Sequence, residues 1–161
     1  MPTVATTGVY GWTLETFLAA LREADVAQVL DVRQRRGLRG SEYAWANAQR
    51  LQAALAAAGI DYLHLKKLAP TTELRHVQYD EDARRGIGKR SRTDLAPEYV
   101  IRYTKEVLDR ADFDSIVAEL PQGAASALLC VERDPEACHR SLIANRLATE
   151  YAISVKHLLP T

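Results

Sequence analysis

A chain of 161 residues, 47% apolar and 26% charged, is long enough for one domain with a substantial hydrophobic core. Lys and Arg total 21 and Asp and Glu total 21, so no global field draws the chain to nucleic acid or membrane. No apolar run nears the roughly 18–20 residues that cross a bilayer. The opening MPTVATTGVYGW lacks the basic-then-apolar build of a secretory leader. With two cysteines there is no disulfide scaffold, and the expectation is a cytoplasmic protein with reduced thiols and no membrane partner.

The elements alternate along the chain. Residues 4–10 (VATTGVY) are rich in β-branched side chains and read as a first strand. Thr13 offers an N-cap to a helix whose Leu14, Phe17, Leu18 and Leu21 share one face. Residues 26–32 (VAQVLDV) have the continuous apolar character of a strand buried on both faces of a parallel sheet. A basic loop follows, then a helix expected over 43–58 with Trp45, Leu51 and Leu55 inward and Gly59 as its cap. Residues 61–65 read as a third strand.

Residues 66–94 show no clean period, and such a stretch is expected to be a long functional or mobile segment. Pro97 suits the first position of a helix running to about Arg110, and Asp112 or Asp114 can cap another carrying Phe113, Ile116, Val117 and Leu120. Residues 126–132 (SALLCVE) form the fourth strand. Asp134 and Pro135 are expected to open a helix that holds Cys138 in its first turn and buries Leu142, Ile143 and Leu147. Residues 154–158 close the chain as a fifth strand. The order predicts a single three-layer α/β domain over residues 1–161, its mostly parallel five-strand sheet flanked by helices.

In such sheets ligands bind beyond the carboxyl ends of the strands. Asp31 and Arg33 fall at one strand end and on the same side of it. His64 ends the third strand, and Cys130 and Glu132 end the fourth, just before Cys138, His139 and Arg140. Tyr10 follows the first strand, where Gly8 and Gly11 would admit close backbone approach to a ligand. A helix start beside His139 and Arg140 would favour a Cys138 thiolate or bind an anion without reactive chemistry. The same cysteine also reads as a small apolar packing residue. Cys130, inside an apolar run, reads as core. Cys130, Cys138 and His139 lack the paired spacing of structural zinc, and adjacent residues seldom both ligate, so no metal site is expected. No cofactor is indicated.

Two basic clusters stand out, Arg33, Arg35, Arg36 and Arg39 in one loop, and Arg84, Arg85, Lys89, Arg90 and Arg92 in the other. GIGKRS fails the phosphate-loop pattern. Taken together, TTGVYGWTLETFLAAL, VLDVR, LQAALAAAGIDYLHLKKL and ALLCVERDPEACHRSLIANRLA resemble the family catalogued as domain of unknown function 488. The resemblance spans about residues 3–158 and is most specific in C-x-E-x-x-x-x-x-C-H-R-S-L-I. It implies an α/β domain whose hallmark positions match Asp31, Arg33, Cys130, Glu132, Cys138, His139 and Arg140. One departure is Leu68-Ala69-Pro70, where the resemblance leads one to expect Leu-Gly; Ala before Pro forces an extended turn there.

Two readings of function follow. In the first, the chain is an enzyme acting on a phosphate-bearing substrate, a nucleotide or nucleic acid. Cys138, His139, Asp31 and Glu132 would supply nucleophile and acid/base groups, and Arg33, Arg140, Arg36 and Arg90 would bind the anion. In the second, the basic loops 33–39 and 84–92 clasp nucleic acid without catalysis. A redox pairing of Cys130 with Cys138 is a third, weaker alternative.

Overall fold

The computed structural model describes residues 1–88 and 91–161, so the Lys89 and Arg90 of the second basic cluster lie outside the described residues. Five strands, β1 (Thr3–Thr7), β2 (Val26–Asp31), β3 (Asp61–His64), β4 (Ala125–Leu129) and β5 (Ser154–Leu158), make one sheet in the order β3-β2-β4-β1-β5. Every pairing is parallel, as the alternation of elements requires. β4 and β2 are neighbours, so their carboxyl ends, with Cys130 and Asp31, open side by side.

Alternation divides the sheet into two faces. Val4, Leu30, Val32, Leu128 and Cys130 pack toward α3 (Thr72–Arg84), α4 (Pro97–Glu106), α5 (Phe113–Ala118) and α6 (Arg140–Tyr151). Ala5, Val29, Ala127 and Leu129 pack toward α1 (Leu14–Glu23) and α2 (Ala48–Ala57). All five residues of β4 are buried, which explains a sequence that is apolar but for Ser126. Among the described residues no helix is long and apolar enough to cross a membrane.

Local chemistry sets the helix ends. Thr13 and Thr16 form a reciprocal capping box at α1, the Thr16 amide donating to Thr13 Oγ1 at 3.2 Å and the Thr13 amide to Thr16 Oγ1 at 2.9 Å. Such a cap stabilises by about 1 kcal/mol. The helix expected over 43–58 is divided into a 3-10 turn at Ser41–Ala46 and α2, with Asn47 extended between them. Asn47 Oδ1 accepts the Leu38 amide at 2.6 Å, tying down the first basic loop. Gly59 ends α2 with a φ of 74°, where glycine is favoured.

Two further expectations need correction. Residues 66–94 contain α3, whose inward positions Leu74, Gln78 and Asp82 recur every four residues but are mostly polar. A polar inner stripe gives no amphipathic signal. Asp134 and Pro135 open only the 3-10 turn Pro135–Ala137, and Cys138 is extended, with φ −141° and ψ 148°. α6 starts at Arg140, so Cys138 precedes the helix instead of occupying its first turn.

Candidate active site at two strand tips

At the tip of β2, Asp31 and Arg33 pair with each other. Arg33 Nε donates to Asp31 Oδ1 at 2.9 Å and its NH2 to Oδ2 at 2.8 Å, while NH1 donates to the Ala46 carbonyl at 2.9 Å. Tyr62 adds a 2.5 Å hydrogen bond to Asp31 Oδ2. Asp31 is 0% exposed and Arg33 2%. Burial pulls the Arg33 pKa down, yet the Asp31 hydrogen bonds and charge outweigh it and hold the guanidinium charged. His64 does not join the chemistry; its Nε2 meets the Arg33 carbonyl at 2.8 Å.

The tip of β4 is built differently. His139 Nε2 lies 2.8 Å from the Val32 carbonyl, which can only accept, so Nε2 carries the proton. Nδ1 then faces two sulfurs, 3.6 Å from Cys130 Sγ and 3.7 Å from Cys138 Sγ. The Tyr103 ring stands edge-on to the imidazole, centroids 5.4 Å apart, and its hydroxyl is anchored on the Leu68 carbonyl at 2.5 Å. Burial opposes ionisation of Cys138, but the Cys130 thiol, the His139 charge and Arg140 bring its pKa well below the ordinary thiol range. Burial drives Cys130 the other way, well above that range, and the neighbouring Cys138 charge adds to it. His139 is raised because the Cys138 thiolate outweighs the burial that would neutralise it. The directions agree: the surroundings favour the charged forms of Cys138 and His139 and disfavour that of Cys130.

These residues line a pocket of about 430 Å³, together with Glu132, Arg33, Tyr10 and Tyr99. Asp31 is not among the lining residues. Arg35 and Arg39 are exposed on the same pocket, and neither has an ion-pair partner among the described residues. Arg36 lies instead in a neighbouring hollow at the start of α2 and donates to Tyr62 at 3.3 Å. Arg140 is fully buried and turned to backbone, donating to the Glu132 carbonyl at 2.6 Å and the Arg133 carbonyl at 2.9 Å. It shapes the loop after β4 and is absent from the pocket wall.

Arg92, counted in the second basic cluster, has a buried role that sequence reasoning missed. Its NH1 donates to Asp82 at 2.7 Å, its NH2 to Glu132 Oε1 at 2.7 Å, and its Nε to the Ala137 carbonyl at 3.1 Å. Gln78 extends the network, donating to Asp82 at 2.8 Å and accepting the Ala96 amide at 2.8 Å. The four-residue spacing of Leu74, Gln78 and Asp82 was the available signal. The glycines also serve packing: a Cβ on Gly8 would sit 1.8 Å from the Glu132 carbonyl oxygen, and Gly11, at φ 92°, would meet Pro160. Close approach of the chain just after β1 to the Glu132 backbone accounts for Gly8.

Comparison with known proteins places the chain in a family. No curated protein and no solved structure matches the chain. A family model does, over residues 13–147, which include both strand tips and the Cys-His-Arg triplet; the chain belongs to the family described as domain of unknown function DUF488.

Proposed function

We propose that the pocket is the active site of an enzyme acting on a phosphate-bearing substrate, a nucleotide or a nucleic acid, with Cys138 as nucleophile. The observation that carries this reading is the Cys138–His139 pair, 3.7 Å apart, in the wall of a pocket whose mouth bears Arg35 and Arg39. A thiolate beside an imidazolium is the activated form of a cysteine nucleophile. Cys138 Sγ attacks the electrophilic centre and forms a covalent adduct as the bond to the leaving atom breaks. His139 gives its Nδ1 proton to that atom. Water then attacks the adduct, returns a proton to Nδ1, and releases the thiolate. Arg35 and Arg39 hold the phosphate through charge-assisted hydrogen bonds. Glu132, fixed by Arg92, accepts from the Cys130 thiol, with Oε2 3.9 Å from Cys130 Sγ.

Asp31 and Arg33 act on this reading as scaffold. The non-catalytic clasp draws less support, because Arg84 and Arg85 are ion-paired with Glu81, Arg85 also with Asp94, and Arg92 is buried. The test is intact-mass analysis of acid-quenched mixtures of the chain with mononucleotides and short single-stranded oligonucleotides. A mass adduct that maps to Cys138 and vanishes in Cys138→Ser is expected. If no adduct and no turnover appear across both sets, while the protein remains folded, the catalytic reading is wrong.

A further inference from the structure

We propose that Cys130, Cys138 and His139 form a binding site for a soft divalent cation, zinc(II) first, with its remaining coordination position toward the pocket. The chain spacing of these residues argued against a metal, but spacing is only a proxy for geometry. Their donor atoms all lie within 4.8 Å of one another. A tetrahedral centre with metal–sulfur bonds of about 2.3 Å and a metal–nitrogen bond of about 2.0–2.1 Å has a sulfur–nitrogen edge of about 3.6 Å. The two edges here are 3.6 and 3.7 Å.

The outer contacts fit as well. His139 donates its Nε2 proton to the Val32 carbonyl, which fixes the ring and leaves Nδ1 as the ligating atom of the neutral imidazole. Two thiolates and one imidazole suit zinc over magnesium or calcium, which select oxygen. All three residues line the pocket, so the arrangement is that of an open three-ligand site and not a closed structural one. The cation would take both thiolates as ligands and withdraw Cys138 from nucleophilic use. This inference goes beyond the catalytic reading and does not depend on it.

The experiment titrates the chelator-treated full chain, thiols reduced, with cobalt(II) and then zinc(II). The expected result is a thiolate-to-cobalt absorption band with tetrahedral visible bands, saturating at one equivalent and displaced by zinc. Cys130→Ser and His139→Asn should each weaken binding by more than about 100-fold, beyond the roughly 10–100-fold typical of losing an outer-shell partner. Should either variant fail to fold, zinc protection of both wild-type thiols against a thiol reagent carries the test. No cobalt–thiolate band while both thiols count as free overturns the site, as does a band unchanged in both variants. A chain that forms the Cys138 adduct but shows no band keeps the nucleophile and loses the metal; a band without any adduct does the reverse.

Discussion

At the tip of β2 a buried ion pair is closed on itself: all three Arg33 nitrogens are hydrogen-bonded to protein, and Asp31 receives Arg33 and Tyr62. At the tip of β4, one strand away, a buried sulfur–imidazole group lines the same pocket that Arg33 borders, but without a saturated set of internal partners. Both tips place polar groups two apart on a parallel strand, and both are almost wholly removed from solvent. The difference is saturation. A buried charge whose partners are all internal is scaffold, whereas a buried nucleophile with one side left open is available for chemistry. By the same criterion Arg140 belongs with the scaffold and Arg35 with the site.

The sharpest way to break this comparison is Asp31→Ala. It strands a buried guanidinium, and breaking such a pair costs about 3–5 kcal/mol. Urea unfolding should show a loss of that size, and Asp31→Leu combined with Arg33→Met should recover most of it. A single variant within about 1 kcal/mol of wild type would mean that the β2 tip is not closed scaffold. Gly8→Ala comes next. Its Cβ would collide with the Glu132 backbone, which cannot rotate away, so a loss of at least about 1–3 kcal/mol is expected in the same assay. Because the collision is at the loop that carries Glu132, this change should also disturb Cys138 reactivity, which the Asp31→Leu and Arg33→Met pair should not.

Much of this architecture was legible in the sequence because β2 and β4 are mostly apolar, with Gln28 and Ser126 the polar exceptions inside them, and their charged residues fall at or beyond the ends. Asp31, Arg33, Cys130 and Glu132 were thereby placed at strand tips, while the pairing of those two strands came from the sheet order. What stayed hidden was hidden for physical reasons. α3 turns Gln78 and Asp82 inward, so hydrophobic periodicity could not find it. Arg92 sat in a basic stretch that looks solvated, yet it is buried between two carboxylates. The Asp-Pro signal before Cys138 is common to the starts of α and 3-10 helices, and the chain uses it for the tighter turn. Spacing along the chain likewise concealed that the two cysteines converge on one imidazole nitrogen.

Cys138→Ser sharpens the comparison from the other side. Exchanging one sulfur for oxygen in a site made for reactivity should change stability by about 1 kcal/mol or less, while abolishing rapid alkylation. The sign of the pH dependence follows from a lowered Cys138 pKa. An ordinary thiol loses thiolate about tenfold per pH unit below about 8.5. Cys138 in chelator-treated protein should instead hold its alkylation rate as pH falls through that value, and decline only at lower pH. Cys130, raised by burial and by its charged neighbour, should stay unlabelled throughout. Peptide mapping after iodoacetamide labelling across pH reads both. Equal labelling of the two cysteines, or a Cys138 rate already falling below pH 8.5, would falsify the thiolate–imidazolium assignment.

The smallest effects belong to the pocket mouth. Arg35→Ala and Arg39→Ala remove exposed cations without ion pairs among the described residues, so each should leave urea stability within about 0.5 kcal/mol of wild type. Each should nonetheless weaken the binding of a phosphate-bearing ligand by about 1–2 kcal/mol, roughly five- to thirtyfold, measured by calorimetry with a mononucleotide or oligonucleotide that the adduct experiment identifies. Raising the salt should shrink the difference, since the mouth is open to screening. Arg36→Ala is the internal control: Arg36 lies in the neighbouring hollow against Tyr62, and it should affect affinity less than either mouth arginine. If Arg36→Ala proves the most damaging of the three, the anion lies over the start of α2, away from Cys138. The open tip of β4 would then be a reactive group without its substrate.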